Sequence, residues 1–169
     1  MNGTRLRATV RSRSNRTLPV GAIAGLAGGA IEVGWIALYE QLAGSDGAMV
    51  ARGVTQSVIP GLVAARSAVP LGLAIHMGLA VALGIVIAVL MPRLLPRLVG
   101  TALEPVAVVA MLVGVWAMNF FVILPAINPA FVTLVPYGVS LASKVLFGVA
   151  AAFVFRFSRR HLPTDQREL

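Results

Sequence analysis

Four polar side chains stand inside long apolar runs of this sequence, and they are the residues best suited to chemistry. They are Glu32, His76, Asn119 and Lys144, one in each of four runs. An ionisable group in hydrocarbon costs about 2.5–3.5 kcal/mol on insertion scales, so each one needs a partner, an aqueous cavity or a function. Glu40 lies about two helical turns beyond Glu32, so the two carboxylates share a helix face and either one could pair with Lys144.

Two interpretations of this polar layer follow from its residue types. In the first, a carboxylate and Lys144 form a buried ion pair, with His76 and Asn119 hydrogen-bonded around it, and the pair fixes which helix faces which. In the second, Glu32, His76 and Lys144 relay protons or bind an ion, because a carboxylate, an imidazole and an amine lie at one depth. The first is preferred and the second stays open.

Several kinds of catalytic or cofactor site are unsupported. Glu32 and His76 supply two metal ligands where three or four are normal, and His161 lies outside the apolar runs, which argues against a bis-histidine haem. No cysteine is present, and neither a Walker loop nor an HExxH motif occurs. We therefore expect no catalytic residue, no metal site and no bound cofactor, and we do not expect an enzyme.

The elements that carry these residues are predicted to be membrane-spanning helices. Of 169 residues, 58% are hydrophobic and 12% charged, and the mean hydropathy is +0.89, whereas a soluble domain is about 45–50% apolar. A helix needs about 20 apolar residues to cross ~30 Å of hydrocarbon. The sequence therefore predicts an all-α protein with four transmembrane helices in a compact bundle. We place the spans at 18–42, 69–91, 105–124 and 137–157.

Basic residues predict the orientation of these spans. Eleven arginines lie in the two tails and the second connection, against only Arg52 and Arg66 in the first connection and none in the third. The positive-inside rule then makes 1–17 a basic cytoplasmic tail and 158–169 a polar cytoplasmic tail. The net charge of +8 suits this topology and anionic lipid headgroups, so no nucleic-acid partner is expected. The arginine-rich, alanine-rich composition suggests a GC-rich bacterial genome, and the expected location is the bacterial inner membrane.

Two connections are unusually apolar. Segment 47–66 has an apolar stripe interrupted by Pro60, and it could lie on the outer membrane surface, cover a partner subunit or cap the bundle. The third connection, 125–136, holds no charge and three prolines. We expect it to dip into the interface or to pack on another protein.

Small residues at helical spacing predict how the helices associate. In lipid the hydrophobic effect does not bring helices together, so close packing of small residues matters more. The first span carries Gly21, Gly25 and Gly29 at intervals of four. Packing within the bundle is the preferred role, and an oligomer or a larger assembly stays open. Corresponding positions in the other spans are Gly78, Gly114 and Gly148.

The motifs GAIAGLAGGAIEVGW, LAIHMGLAVALG and SKVLFGVAAAFVFRF, the last followed by a basic tail, resemble those of small four-helix bacterial inner-membrane proteins of the YagU-like kind. The resemblance covers most of the chain. It implies an architecture more than an activity.

The sequence as a whole favours a non-catalytic integral membrane subunit or accessory protein that packs against other membrane subunits, for example in an energy-transducing complex. Two alternatives stay open. One is a small oligomeric proton or ion transporter or channel that uses Glu32, His76 and Lys144. The other is a redox subunit that contacts haem or quinone near His76. The expected partners are membrane lipids and either another membrane protein or further copies of this chain.

Overall fold

A computed structural model describes the backbone of residues 3–160 and the side chains of residues 16–160. Every regular element in this part of the chain is helical. The α-helices are α1 (Gly3–Ala43), α2 (Met49–Val58), α3 (Ala68–Leu94), α4 (Glu104–Met118), α5 (Leu124–Ile127) and α6 (Tyr137–Arg160). Shorter turns are the 3-10 helices Pro60–Leu62 and Pro129–Thr133 and the π-helix Asn119–Ile123.

The four predicted spans are confirmed as helices long and apolar enough to cross a bilayer. Among the described residues these helical segments are Arg16–Leu42, Ala68–Leu94, Glu104–Ile127 and Tyr137–Arg160. Helix α1 begins at Gly3, so it also runs through most of the segment predicted as a tail. Helix α6 continues to Arg160, while 161–169, with His161, lies outside the described residues.

The third span contains an irregularity that hydropathy does not reveal. Pro125 was expected to follow the end of this helix, but the helical path continues through the π-helix and α5 to Ile127. Proline lacks an N–H and its ring crowds the carbonyl four residues earlier, here that of Phe121. A wide π turn just before Pro125 accommodates both effects.

Helix α1 lies at the centre of the packing. It packs against α3 on one side and α6 on the other, α6 packs in turn against α4, and α3 and α4 scarcely meet. The bundle is thus closed along three edges and open along the α3–α4 edge, which is less compact than expected. One buried core draws on all four long helices. Its residues are Ala24, Ala80, Ile87, Val108, Leu112, Phe147, Ala151, Ala152 and Phe155.

Glycines let α1 approach its two neighbours closely. A Cβ atom added to Gly25 would lie 2.3 Å from the carbonyl oxygen of Ala80, and one added to Gly21 would lie 2.7 Å from Cα of Ile85. On the α6 side, a Cβ on Gly28 would lie 2.5 Å from the ring of Phe147. No side chain fits in these places, so glycine sets the distance between the helices.

The other predicted packing glycines fall into two groups. Gly29 lies against the Ala80 side chain, and Gly148 lies against Val109 of α4. Gly78 and Gly114 have no atom within 4 Å of an added Cβ. They do not pack against any other described residue, because they lie on faces of α3 and α4 that turn away from α1 and α6.

Helix α2 docks on the N-terminal part of α3. Its buried residues are small, and Ala51 reaches the backbone at Gly72 so closely that an added Cβ there would lie 1.9 Å from the Ala51 oxygen. The buried hydroxyl of Thr55 donates a hydrogen bond to the carbonyl of Ala68 over 2.6 Å. Of the three roles proposed for 47–66, this geometry corresponds to capping the bundle.

The third connection packs on α2 from the other side. Asn128 is buried and its amide donates to Ser57 Oγ over 3.0 Å and to the carbonyl of Gly53 over 3.4 Å. Phe131 and Leu134 approach Gly53 as well. The two apolar connections therefore cover each other at one end of the bundle, which we call the loop side. The opposite end, where α1 and α4 begin and α3 and α6 end, is the terminal side.

We predict that Gly25→Ala lowers the free energy of unfolding by about 1–3 kcal/mol, because the added methyl group overlaps the α3 backbone. Gly34→Ala is the matched control on α1, where an added Cβ meets no atom within 4 Å. It should raise stability by about 0.5–1 kcal/mol, since alanine is the better helix former. Steric trapping in bicelles would measure both, and equal effects would contradict the packing described.

Candidate functional site

Glu32 and Lys144 form an ion pair in the half of the bundle nearer the loop side. Lys144 Nζ donates to Glu32 Oε2 over 2.9 Å and lies 2.8 Å from Oε1. The two side chains are 6% and 17% exposed. The lysine ammonium also lies 5.4 Å from the centre of the Phe147 ring, the same ring that packs on Gly28. The close approach of α1 and α6 thus positions both charges.

Hydroxyl groups of α6 extend this ion pair toward α4. The hydroxyl of Ser143 faces two acceptors, Glu32 Oε1 at 3.1 Å and the carbonyl of Ser140 at 2.7 Å. Trp116 of α4 donates its indole N–H to Ser140 Oγ over 3.1 Å, and Ser140 donates to the carbonyl of Tyr137. Polar contacts therefore tie α1, α6 and α4 together at one level.

His76 completes the cluster from α3. Its Nε2 lies 3.8 Å from Glu32 Oε2, which is too far for a hydrogen bond. That nitrogen is buried and has no hydrogen-bond partner among the described residues. The side chain as a whole is 27% exposed. Glu32 is therefore shared unequally, with close contact to Lys144 and a loose one to His76.

The other two predicted members of the polar layer lie elsewhere. Asn119 is half-buried in the π turn, and no hydrogen bond within the described chain joins it to Glu32, His76 or Lys144. Glu40 is 2% exposed and contacts the backbone amide of Val50 in the first turn of α2. Ala48, the residue that precedes α2, offers no side-chain cap. The carboxylate of Glu40 thus lies beside the free N–H groups of this helix start, while its Oε1 is buried without a hydrogen-bond partner among the described residues.

A second ion pair, between a buried carboxylate and a partly exposed arginine, was missed by sequence reasoning. At the terminal side, Arg159 of α6 contacts Glu104 Oε1, and Glu104 Oε2 accepts a hydrogen bond from the Gly100 amide over 2.8 Å. Glu104 is 6% exposed. Charges at the ends of apolar runs are usually interpreted as evidence for membrane topology, so neither Glu104 nor Arg159 was considered as part of an ion pair. The acidic residue directly before the third apolar run could have indicated this pair.

The cluster can hold charge and one or two protons, and its donor set is poor in metal ligands. Among residues 3–160, no group of three or more His, Cys, Asp or Glu side chains is placed to hold a metal ion. The Glu32 carboxylate is neutralised by Lys144, which makes the pair a strong positional link between two helices. The ion pair gives no hydrogen-bond partner to His76 Nε2, which is the unsatisfied polar atom of the cluster.

Comparisons with protein-family models, with curated protein sequences and with solved structures found no match to this chain.

We predict that Lys144→Met lowers the free energy of unfolding by about 3–5 kcal/mol, because it leaves the Glu32 carboxylate buried and unpaired. Combining it with Glu32→Gln should cost less than the sum of the two single changes. The charge-swapped pair Glu32→Lys with Lys144→Glu should recover part of the loss. Steric trapping of the purified chain would measure the four variants.

The control for these variants is the exposed pair Asp46–Arg52, whose charged atoms lie 2.5 Å apart. The Ala48 amide and the Arg52 guanidinium hold the pKa of Asp46 below its usual value, but both side chains face outward. Asp46→Asn should leave the stability unchanged. Additive effects of the Glu32 and Lys144 changes would show that the two residues do not pair.

Proposed function

We propose that this chain is a non-catalytic integral membrane subunit or accessory protein that packs against the helices of other membrane proteins. The observation that carries the proposal is a row of small residues on the outer face of α3. Ala74, Gly78 and Ala82 follow one another at intervals of four, and all three are exposed in the isolated chain. Such rows let a second helix approach closely in lipid.

The position of this row supports the proposal. Helix α3 forms one edge of the bundle, since it packs on α1 and scarcely contacts α4. Ala110 and Gly114 on α4 are uncovered in the same way. Gly21, Gly25 and Gly28 of α1, by contrast, are covered by α3 and α6. The chain thus has two outer helices whose small residues are free to meet another membrane helix.

The charged cluster also favours a structural role for its ion pair. Glu32, Lys144 and Ser143 satisfy one another between α1 and α6, so they fix how these two helices face each other. A site that acts on a substrate would need a vacant position beside the reactive groups. The ion pair itself leaves none.

The proposed location is a bacterial inner membrane, with both termini in the cytoplasm. The basic residues near the helix ends support this, since the exposed Arg93, Arg97 and Arg160 lie on the terminal side. Anionic lipid headgroups are the natural partners of these side chains. The loop side, with α2 and the third connection, would then face the outer compartment.

We predict that the tagged chain, extracted in mild detergent from membranes of its source, migrates on native gels as a heavy species that contains other membrane proteins. Gly78→Leu should release the chain from that species, because the larger side chain fills the row on α3. Gly34→Leu is the control, since Gly34 is an equally uncovered glycine on α1, and it should leave the assembly intact. A parent chain that migrates alone would contradict the proposal.

The topology can be tested with single cysteines, because the natural chain has none. Pro96→Cys on the terminal side and Gly61→Cys on the loop side replace exposed residues. In intact bacterial cells a membrane-impermeant maleimide should label Gly61→Cys only. After the cells are lysed it should label both, and labelling of Pro96→Cys before lysis would reverse the orientation.

A further inference from the structure

One buried polar atom in the charged cluster has no role in the ion pair. His76 Nε2 is inaccessible, has no hydrogen-bond partner within the described part of the chain and lies 3.8 Å from Glu32 Oε2. A neutral imidazole carries one N–H; when that proton points to the Gly29 backbone carbonyl, Nε2 is an acceptor, and a carboxylate oxygen is an acceptor as well. Two buried acceptors that face each other without a donor between them are unfavourable. A hydrogen-bond donor is therefore needed between His76 Nε2 and Glu32 Oε2.

The surroundings of His76 restrict what that donor can be. Helix α1 presents the Glu32 carboxylate and the backbone of Gly29 to the imidazole, and α6 presents the Lys144 ammonium. Lys144 already contacts both oxygens of Glu32. No further charged group acts on the imidazole from the described residues. A second ring proton needs no extra space, and it gives the Gly29 carbonyl and the Glu32 carboxylate a donor each, which the neutral ring cannot do in either tautomer.

We propose that His76 and Glu32 form a proton-binding site within the membrane-spanning bundle. A proton from hydronium in the aqueous phase on the loop side forms a new N–H bond at Nε2, and water is released. No electron transfer is involved. The resulting imidazolium donates toward Glu32 Oε2 after a small approach of the two side chains. This site is independent of the proposed role as a subunit.

Depth places the site closer to one aqueous phase than to the other. Helix α3 has 27 residues and is about 40 Å long, some 10 Å more than the ~30 Å hydrocarbon core. His76 lies about 12 Å from its first residue, hence about 7 Å below the hydrocarbon boundary when the helix is centred. The loop side is therefore the nearer source of protons.

Binding of the proton changes the balance within the cluster. Glu32 then has two cationic neighbours, Lys144 on α6 and His76 on α3. The two cations repel each other and compete for the same carboxylate. Proton uptake thus weakens the link between α1 and α6 and strengthens the contact between α1 and α3.

The site can be tested by NMR of the full chain, labelled with ¹⁵N,¹³C-histidine and held in nanodiscs. The chain has two histidines, His76 and His161, so His161→Asn assigns the remaining signal to His76. The ring nitrogen shifts of His76 are then followed from about pH 5 to pH 9, the range in which histidines commonly titrate. We expect a change from neutral imidazole to imidazolium that fits the uptake of one proton.

Two variants identify the groups that control the proton. Glu32→Gln should weaken proton binding by His76 about tenfold or more, and Lys144→Met should strengthen it, since each removes a charge close to the ring. An imidazole that stays neutral throughout the titration overturns the proposal. A titration curve of His76 that is the same in Glu32→Gln, Lys144→Met and the parent also overturns the proposal. Should a variant fail to fold, the titration in the His161→Asn chain still decides the matter.

Discussion

The arrangement of charges in this protein depends on how closely α1 approaches its two neighbours. Gly25 and Gly28 bring the backbone of α3 and the Phe147 ring of α6 to within contact of α1. At that distance Lys144 reaches Glu32 across the helix interface. A carboxylate in hydrocarbon without such a partner would be costly. The glycine at position 28 thus serves the packing of the two helices that carry the ion pair.

Hydropathy and residue type predicted much of this structure, but not its rotational details. The four spans followed from apolar length, and Glu32, His76 and Lys144 stood out because ionisable groups are rare in apolar helices. Which carboxylate meets Lys144 depends on how α1 is rotated, and that is set by the side chains around Gly28. The place of Asn119 depends on a π turn, which shifts the register of every residue after it.

The connections and helix ends were harder to predict for a similar reason. Glu40 contacts α2, and hydropathy could not predict which face of α2 packs on the bundle. This helix buries small residues such as Ala51, while its larger apolar side chains are less buried. Glu104 and Arg159 lie at helix ends, where a charge ordinarily faces water. Their pairing gives α6 an ionic contact with α4 on the terminal side, besides its contact with α1 nearer the loop side. Among the described residues, the contact of α3 with these charged groups is the looser one between His76 and Glu32.

The cover formed by α2 and the third connection sets an order for biogenesis. Asn128 and Gly53 are 75 residues apart in the sequence, and the segment between them includes two membrane spans. Because chains are made from the N-terminus, α2 is synthesised well before Asn128 exists. Until then the Gly53 carbonyl accepts from within α2, where the Ser57 hydroxyl donates to it over 2.9 Å. The cover over α2 is therefore completed only after the third span and the connection that follows it have been made.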